Sequence, residues 1–444
     1  MTYAEAVARL LALRGGELAG MRPGLERIEG LLAAVGNPER RYALVQIGGT
    51  NGKGSVAATL ATILKASGRR VGLYTSPHLV SFRERIRVDG EPIAEDGVAD
   101  GVDALGTLVA RLDATVFEAT TALALDHFAR EAVDIAVLEV GLGGRLDATT
   151  VGRPALVVLT RIDLDHEAYL GSTLGEIAAE KAAIIRGGVT IAAAQAPEAA
   201  RVIVDRAAAQ GIPLLLEGRD LSVRVESRSL ESQRIVCAGP GWALERLALP
   251  LLGRFQPGNA LLAVAAAREL GVVESAIRDG LARARWPGRF QVIGRDPWLV
   301  VDGAHNPAAA RALVASLDDL FPGVRRTLVV GISRDKDARA ILAALVPGAA
   351  RLILTRASSP RAADPETLSP LVPRSVDRVE VAGSAGEALA LAMAPPESPV
   401  VCVAGSLFLV GDVLARVAGD RPCPIEKAAD SMECLFDRHA RDTE

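Results

Sequence analysis

The chain has 444 residues, half of them hydrophobic, with a formal net charge of −4 and only 3% aromatic residues. That length favours two domains, each with a sizeable core. The slightly acidic balance, without a basic run or many rings, argues against nucleic acid as the main partner.

In chain order, residues 3–14 carry Glu5, Arg9 and Arg14 within an apolar periodicity and read as an amphipathic helix rather than a signal peptide. Residues 21–28 form a loop, broken by Pro23-Gly24, that enters a second helix. Ala43–Ile47 is a short apolar run suited to a buried strand, and the loop Gly48-Gly49-Thr50-Asn51-Gly52-Lys53-Gly54-Ser55 follows it. Val56, Leu60, Ile63 and Leu64 then recur at helical spacing up to a stop at Gly68. Strand, glycine loop and helix together suit a phosphate. Glycines let backbone N–H groups approach the anion, the helix start adds partial positive charge, and Lys53 adds a full one. The loop departs from the Walker A pattern, having Ile47 where that pattern has its first Gly and Gly54 directly after the Lys.

A second strand over 71–75 ends at Ser76-Pro77-His78, and helices are predicted over 95–112 and 118–130. Ile135–Val140 is a buried strand with Glu139 near its end, turned by residues 141–144. Ala155–Thr160 is another strand, followed by Asp163, Asp165 and His166, and a helix over 173–185 contains Lys181. Alternating strands and helices imply an N-terminal P-loop-type α/β domain, its mostly parallel sheet covered on both faces. Lys53, Ser76, Glu139 and His166 all fall at or just past strand ends, where such sheets bind ligands.

Residues 212–252 change character, with LSVRVES and RIVCAG alternating with period two around polar turns, which suggests a small antiparallel insert, and 253–283 return to helix. Residues 286–290 read as a junction, with the domain boundary near 290–297. Strands near 299–302, 327–331, 351–355, 378–381 and 399–404 then form a C-terminal Rossmann-like α/β domain. The expected division is therefore 1–290 and 297–444, with a peripheral charged stretch at 421–444. No apolar run approaches membrane-spanning length. The cysteines Cys237, Cys402, Cys423 and Cys434 show neither C-x-x-C nor zinc spacing, which points to reduced thiols in a cytoplasmic protein.

Glu139 resembles a Walker B acid placed to hold Mg²⁺ beside a triphosphate, and Ser76 offers a hydroxyl oxygen to the same ion. Plainer readings stand beside these: a structural ion pair for Glu139, a turn residue for Ser76, a loop histidine for His166 and a solvated surface lysine for Lys181. Asp302, closing a strand of the second domain, is placed to meet a ribose or an amine, or to cap the helix that follows. If the nucleotide binds the first domain, residues of the second are expected to close over it.

Ten motifs occur in one order along the chain. They are GTNGKGS (49–55), TSPHL (75–79), FEATTALAL (117–125), LEVGLGGRLDAT (138–149), DHEAYLG (165–171), EIAAEKAAII (176–185), GRFQPGNALLA (253–263), WPGRF (286–290), DGAHNP (302–307) and DKD (335–337). Together they resemble the folylpolyglutamate synthase/dihydrofolate synthase family of the Mur-ligase superfamily. The resemblance implies an ATP-dependent amide ligase that adds L-glutamate to dihydropteroate, to reduced folates or to both through an acyl phosphate. It implies Ser76, Glu139 and His166 as ligands of two Mg²⁺ ions, with Lys181 carbamylated by CO₂ and acting as an anion toward the second. Thr50, Asn51, Gly52, Lys53, Gly54 and Ser55 would bind the phosphates, Asn259, Arg289 and Asp302 would contact ATP, and His305 would lie near the reacting groups. The loop near Gly20–Pro23 and the stretch Thr115, Val116, Phe117, Glu118 correspond to where family members hold the pterin. A monovalent cation is an open addition to these cofactors. The expected state is a cytoplasmic monomer with small-molecule partners and neither nucleic acid nor membrane. The alternatives are another amino-acid ligase of the same superfamily and a P-loop regulatory ATPase.

Overall fold

The computed structural model describes residues 1–13, 22, 24–394 and 398–419. They form two compact units. One comprises Met1–Ser76, Arg85–Leu251 and Phe255–Trp286; the other comprises Pro77–Glu84, Leu252–Arg254 and the described residues from Pro287. Gly20, Met21 and Pro23 of the expected pterin loop, Cys423, Cys434 and the charged stretch 421–444 lie outside the described residues.

In the first unit, β1 (Ala43–Gly48), β2 (Val71–Tyr74), β3 (Ile86–Val88), β4 (Glu91–Pro92), β5 (Ile135–Glu139), β6 (Leu156–Leu159), β7 (Val189–Ala192) and β8 (Leu214–Leu216) make one sheet. Its order is β4-β3-β2-β5-β1-β6-β7-β8. Pairing is parallel from β2 across to β8, and β3 and β4 add an antiparallel edge. The helices are α1 (Tyr3–Leu11), α2 (Glu26–Ala34), α3 (Lys53–Ala66), α4 (Glu95–Arg111), α5 (Val116–Arg130), α6 (Glu167–Leu170), α7 (Leu174–Ala182), α8 (Pro197–Ala209), α9 (Gln256–Glu269) and α10 (Glu274–Ala282). Strand β6 shows why its sequence is a continuous apolar run. Leu156 and Val158 join a core with Leu60 and Leu261, whereas Val157 and Leu159 join a core with Ile177 and Ile203. Side chains alternate across a strand, so both faces of the sheet are covered by helices. Helix α3 ends as expected, with Gly68 at φ 86° just beyond its cap.

Three strands, β9 (Ser222–Arg228), β10 (Gln233–Gly239) and β11 (Trp242–Leu249), form the separate antiparallel sheet. The insert begins later than expected. Residues 214–216 are three leucines that follow α8 and pair parallel with β7, so they complete a strand-helix-strand unit of the main sheet. Helix α4 has a break at Gly106 (φ 32°, ψ −117°). The helical stretch after residue 253 divides into α9 and α10 at Gly271.

In the second unit, β12 (Gln291–Arg295), β13 (Trp298–Val301), β14 (Arg326–Val330), β15 (Ala349–Leu354), β16 (Arg378–Val381) and β17 (Val400–Ala404) are ordered β12-β13-β17-β14-β15-β16. Its helices are α11 (Pro307–Leu320), α12 (Ala338–Leu345), α13 (Pro365–Leu368), α14 (Ala385–Met393) and α15 (Leu407–Val417). All pairings are parallel except β12 with β13. The stretch expected to hold the domain boundary, 290–297, contains β12, an edge strand turned back on β13 by Asp296-Pro297. A five-residue strand containing Gly294 carries little periodic signal. Cys237 and Cys402 are free and buried, and burial pushes the Cys237 thiol up to about 12. Among the described residues no helix is long and apolar enough to cross a membrane.

Candidate active site

Strand β1 lies between β5 and β6, so its carboxyl end opens at the centre of the sheet, the place where an α/β sheet presents a loop to a ligand. The loop leaving it is fastened to the segment after β6. Thr50 N–H donates to the Arg161 carbonyl at 2.9 Å, Thr50 Oγ1 donates to the Asp163 carbonyl at 3.1 Å, and Asn51 Nδ2 reaches the Asp163 carboxylate at 3.3 Å. Gly52, at φ 95°, occupies the N-cap position of α3 and supplies no side-chain cap. The first N–H groups of α3 therefore lack the side-chain acceptor that a Ser or Asp cap provides, which suits an anion. Lys53 Nζ folds back onto the loop, 3.2 Å from the Gly49 oxygen and 3.1 Å from the Thr50 oxygen. Ser55 is buried and its hydroxyl accepts from Gln256 Nε2 at 3.3 Å.

Two side chains lie on this loop because glycine leaves room. A Cβ on Gly52 would stand 2.5 Å from Asn259 Oδ1, and one on Gly54 would stand 2.8 to 3.0 Å from the Trp286 indole. Asn259 is among the residues expected beside the nucleotide; Trp286 is not.

Glu139 ends β5 in register with Ile47, one residue before the loop begins, and its buried carboxylate accepts the Ser76 N–H at 3.1 Å. Lys181, in the last turn of α7, is 4% exposed, with Nζ 3.1 Å from the Gly49 oxygen. Ser76 and Glu139 are thus brought together, as are Lys53 and Lys181. His166 follows the segment after β6. It adopts φ 54° ahead of α6, its N–H donates to Asp165 Oδ1 at 2.9 Å, and its Nε2 is 3.8 Å from the same oxygen. Among the described residues no group of three or more His, Cys, Asp or Glu is arranged to hold a metal, and the expected ligand set contains only two such residues. The carboxylate and hydroxyl oxygens of Glu139 and Ser76, beside a phosphate-type loop, are the donors that Mg²⁺ takes.

The 115–118 stretch opens α5 with a capping box. Thr115 Oγ1 accepts the Glu118 N–H at 3.2 Å and Glu118 accepts the Thr115 N–H at 2.8 Å. Glu118 also pairs with Arg27 Nε at 2.9 Å, a residue the sequence reading did not single out. Val116 is buried. Phe117 lies 5.9 Å from Tyr74, ring to ring, and 2.5 Å from where a Gly141 Cβ would sit, so it covers the turn that follows Glu139. That turn is organised by buried Asp147, which accepts from Leu142 N, Thr149 N and Thr149 Oγ1. Burial raises the Asp147 carboxyl above its usual range against these hydrogen bonds.

In the second unit Asp302 follows β13 and is 4% exposed. It accepts the Phe290 N–H at 2.7 Å and the Ala304 N–H at 2.8 Å, joining WPGRF to DGAHNP. Burial raises its carboxyl, with the nearby Arg289 guanidinium and the two N–H bonds opposing. Arg289 crosses this turn, its Nη1 2.7 Å from where a Gly303 Cβ would sit. His305 Nδ1 lies 2.8 Å from the Gly303 oxygen; a carbonyl only accepts, so Nδ1 is assigned a ring proton. Asn306 caps α11 through the Ala309 N–H at 2.9 Å, so Asp302 is not the helix cap.

Family models of the Mur ligase middle domain and of the Mur ligase glutamate ligase domain match residues 47–267 and 288–407. The chain is 40% identical over 428 residues to a Haloferax volcanii protein named probable bifunctional folylpolyglutamate synthase/dihydropteroate synthase, covering 93% of this chain and 50% of that one. It thus spans about half the length of that relative. It is 34% identical over 436 residues to the folylpolyglutamate synthase of Lacticaseibacillus casei, covering 95% of this chain and 100% of the relative. The solved structure of Escherichia coli FolC in complex with DHPP and ADP superimposes with a TM-score of 0.85 at 34% identity, over 94% of this chain and 98% of that one.

Proposed function

The chain belongs to the folylpolyglutamate synthase/dihydrofolate synthase family of the Mur ligase superfamily, and from that membership we propose that it is an ATP-dependent ligase joining L-glutamate to dihydropteroate and to reduced folates. The observation that carries the reading is the phosphate-type loop, with Lys53 folded over it, Glu139 at the adjacent strand end and an α3 N-terminus lacking a side-chain cap.

The reaction divides into two steps. The substrate carboxylate attacks the γ-phosphorus of ATP, releasing ADP and leaving an acyl phosphate. The neutral α-amine of glutamate then attacks the acyl carbon; phosphate leaves, and the amine loses a proton as the amide forms. Lys53 and the N–H groups of residues 52–55 hold the transferring phosphoryl group and offset its charge. Asn259, Arg289 and Asp302 are assigned to the nucleotide. His305 is assigned to the reacting amine. Magnesium, when bound, screens the phosphate charge, and Ser76, Glu139, His166 and a carbamylated Lys181 are the residues that would hold it. Carbamylation has a local rationale, since it converts the buried one of two cations that share a carbonyl oxygen into an anion. In the 115–118 stretch Phe117 is assigned to the pterin, while Thr115, Val116 and Glu118 hold the helix start beneath it. We place the protein in the cytoplasm as a monomer.

The test offers purified protein ATP, glutamate and either dihydropteroate or a reduced folate, and weighs the products. A product heavier by one glutamate, with ADP release that depends on glutamate, is expected. ADP release indifferent to glutamate and to pterin acid would instead mark a regulatory ATPase.

A further inference from the structure

At the far edge of the first unit's sheet lies a basic cluster that the proposed reaction does not use. The strands β6 and β7 are parallel, so their amino ends share one edge, opposite the carboxyl end of β1 and its loop. Arg153 lies three residues before β6 and Arg186 three residues before β7. Helix α8 runs back from the carboxyl end of β7, which brings Arg206 in its last turn to that edge. The Arg153 side chain closes over the turn beside Arg186, its Nε 3.0 Å from where a Gly187 Cβ would sit.

Arg186 Nε and Nη2 and Arg206 Nε are shut off from solvent and have no hydrogen-bond partner. Among the described residues none of the three arginines forms an ion pair. Burial and the Arg206 charge, both of one sign in their effect, make the Arg186 guanidinium a weaker base than usual. Guanidinium nitrogens shut off from solvent beside a second cation, with donors unmet, are costly unless an anion or water supplies acceptors. Arg206 has an alternative rationale at a helix C-terminus, where a positive charge is favourable. That rationale does not reach the two buried nitrogens of Arg186, which precede a strand.

We propose that Arg186 and Arg206, flanked by Arg153, form a binding site for a small oxyanion, of the phosphate or carboxylate class, on the edge of the sheet opposite the phosphate loop. Guanidinium forks match both anions, and the site would couple the anion to the stability of the β6–β7 edge.

Inorganic phosphate is the first probe and succinate the second, each compared with chloride at matched ionic strength. The Lys53→Ala chain is the background, and Lys53→Ala/Arg186→Met and Lys53→Ala/Arg206→Met are the variants, so that binding at the loop is separated from binding at the edge. Phosphate, succinate or both should raise the melting temperature of the background more than chloride does, and whichever acts identifies the anion class. Arg186→Met should lose that response and melt higher in chloride, because an apolar chain of similar length removes the unmet donors. Arg206→Met should weaken the anion about tenfold or more. Should Arg186→Met fail to fold, Arg206→Met carries the test alone. No preference for either anion over chloride in the background, or an undiminished response in the folded variants, overturns the proposal.

Discussion

Lys53 and Lys181 place their ammonium nitrogens 3.2 and 3.1 Å from one acceptor, the carbonyl oxygen of Gly49. The two come from opposite faces of the sheet, one opening α3 and the other closing α7. Two like charges around one oxygen repel each other, and the repulsion is strongest where water is excluded. An anion at the loop, or conversion of one amine to a carbamate, relieves it.

The two lysines should therefore fail differently when removed. Lys53→Ala should lower glutamate-dependent ADP release by about 10²-fold or more, as loss of a group aimed at developing charge commonly does. Lys181→Ala should lose activity too, but short carboxylic acids such as acetate should restore part of it. In the unsubstituted protein, ¹³C-labelled bicarbonate should give a carbamate resonance that Lys181→Ala lacks. Full activity in Lys181→Ala without any added acid would remove the carbamate from the mechanism.

Gly54 is one of the two positions where the loop departs from the Walker pattern, and Trp286 supplies a physical reason for it. With the indole 2.8 to 3.0 Å from a would-be Cβ, even alanine forces the ring or the loop to move. Gly54→Ala should weaken nucleotide binding, read by titration calorimetry, while the melting temperature changes little. Trp286→Leu, introduced together with Gly54→Ala, should recover part of the affinity. Simple addition of the two single effects would show that the residues do not act through one another.

The strands of both sheets that are continuous apolar runs were legible, because period and composition alone decide them. Residues whose placement depends on a partner distant in sequence were not. Leu214–Leu216 reads like the alternating insert beside it, and only its pairing with β7 assigns it to the main sheet. Strand β12 is invisible until β13 folds back on it. At the site, the loop residues were legible from glycine spacing, and Glu139 from its place at a strand end. Lys181, by chemistry alone, reads as a surface lysine; its burial arises from the Gly49 carbonyl, 132 residues away. Arg27 and Glu118, 91 residues apart, carry no local signal that joins them. A capping box, by contrast, is a four-residue pattern, and Thr115 with Glu118 displays it openly.

The Arg27–Glu118 pair should be a large contributor to the stability of the α2–α5 region. Both side chains are nearly buried, at 11% and 6% exposure, and Glu118 also completes the capping box. Glu118→Ala leaves a nearly buried guanidinium without this partner and removes the half of the capping box that accepts the Thr115 N–H, and should cost about 3–5 kcal/mol in urea denaturation. Arg27→Met together with Glu118→Leu should cost less than the sum of the single changes, since no lone charge remains. The lost half of the capping box is worth no more than the about 1 kcal/mol of a whole N-cap, since Thr115 still accepts the residue 118 N–H. A Glu118→Ala cost no greater than that would mean the ion pair contributes nothing.

Asp302 sets a pH dependence whose sign follows from its burial. Desolvation raises its carboxyl in the folded chain above the ordinary 3.8, despite Arg289 and two N–H donors. Between the unfolded and folded values the native state binds more protons than the unfolded state, so unfolding free energy falls as pH rises through that window. Below the window both states are protonated, and above it the cost is constant. Asp302→Asn keeps one acceptor and sets an amide N–H₂ against the other backbone donor, for a penalty of about 1–3 kcal/mol that does not vary with pH. Urea denaturation of both chains across the acid range should show their stability difference narrowing with rising pH and then levelling. A difference that widened with pH would mean that Arg289 and the two N–H bonds outweigh burial, placing the folded carboxyl below its ordinary value.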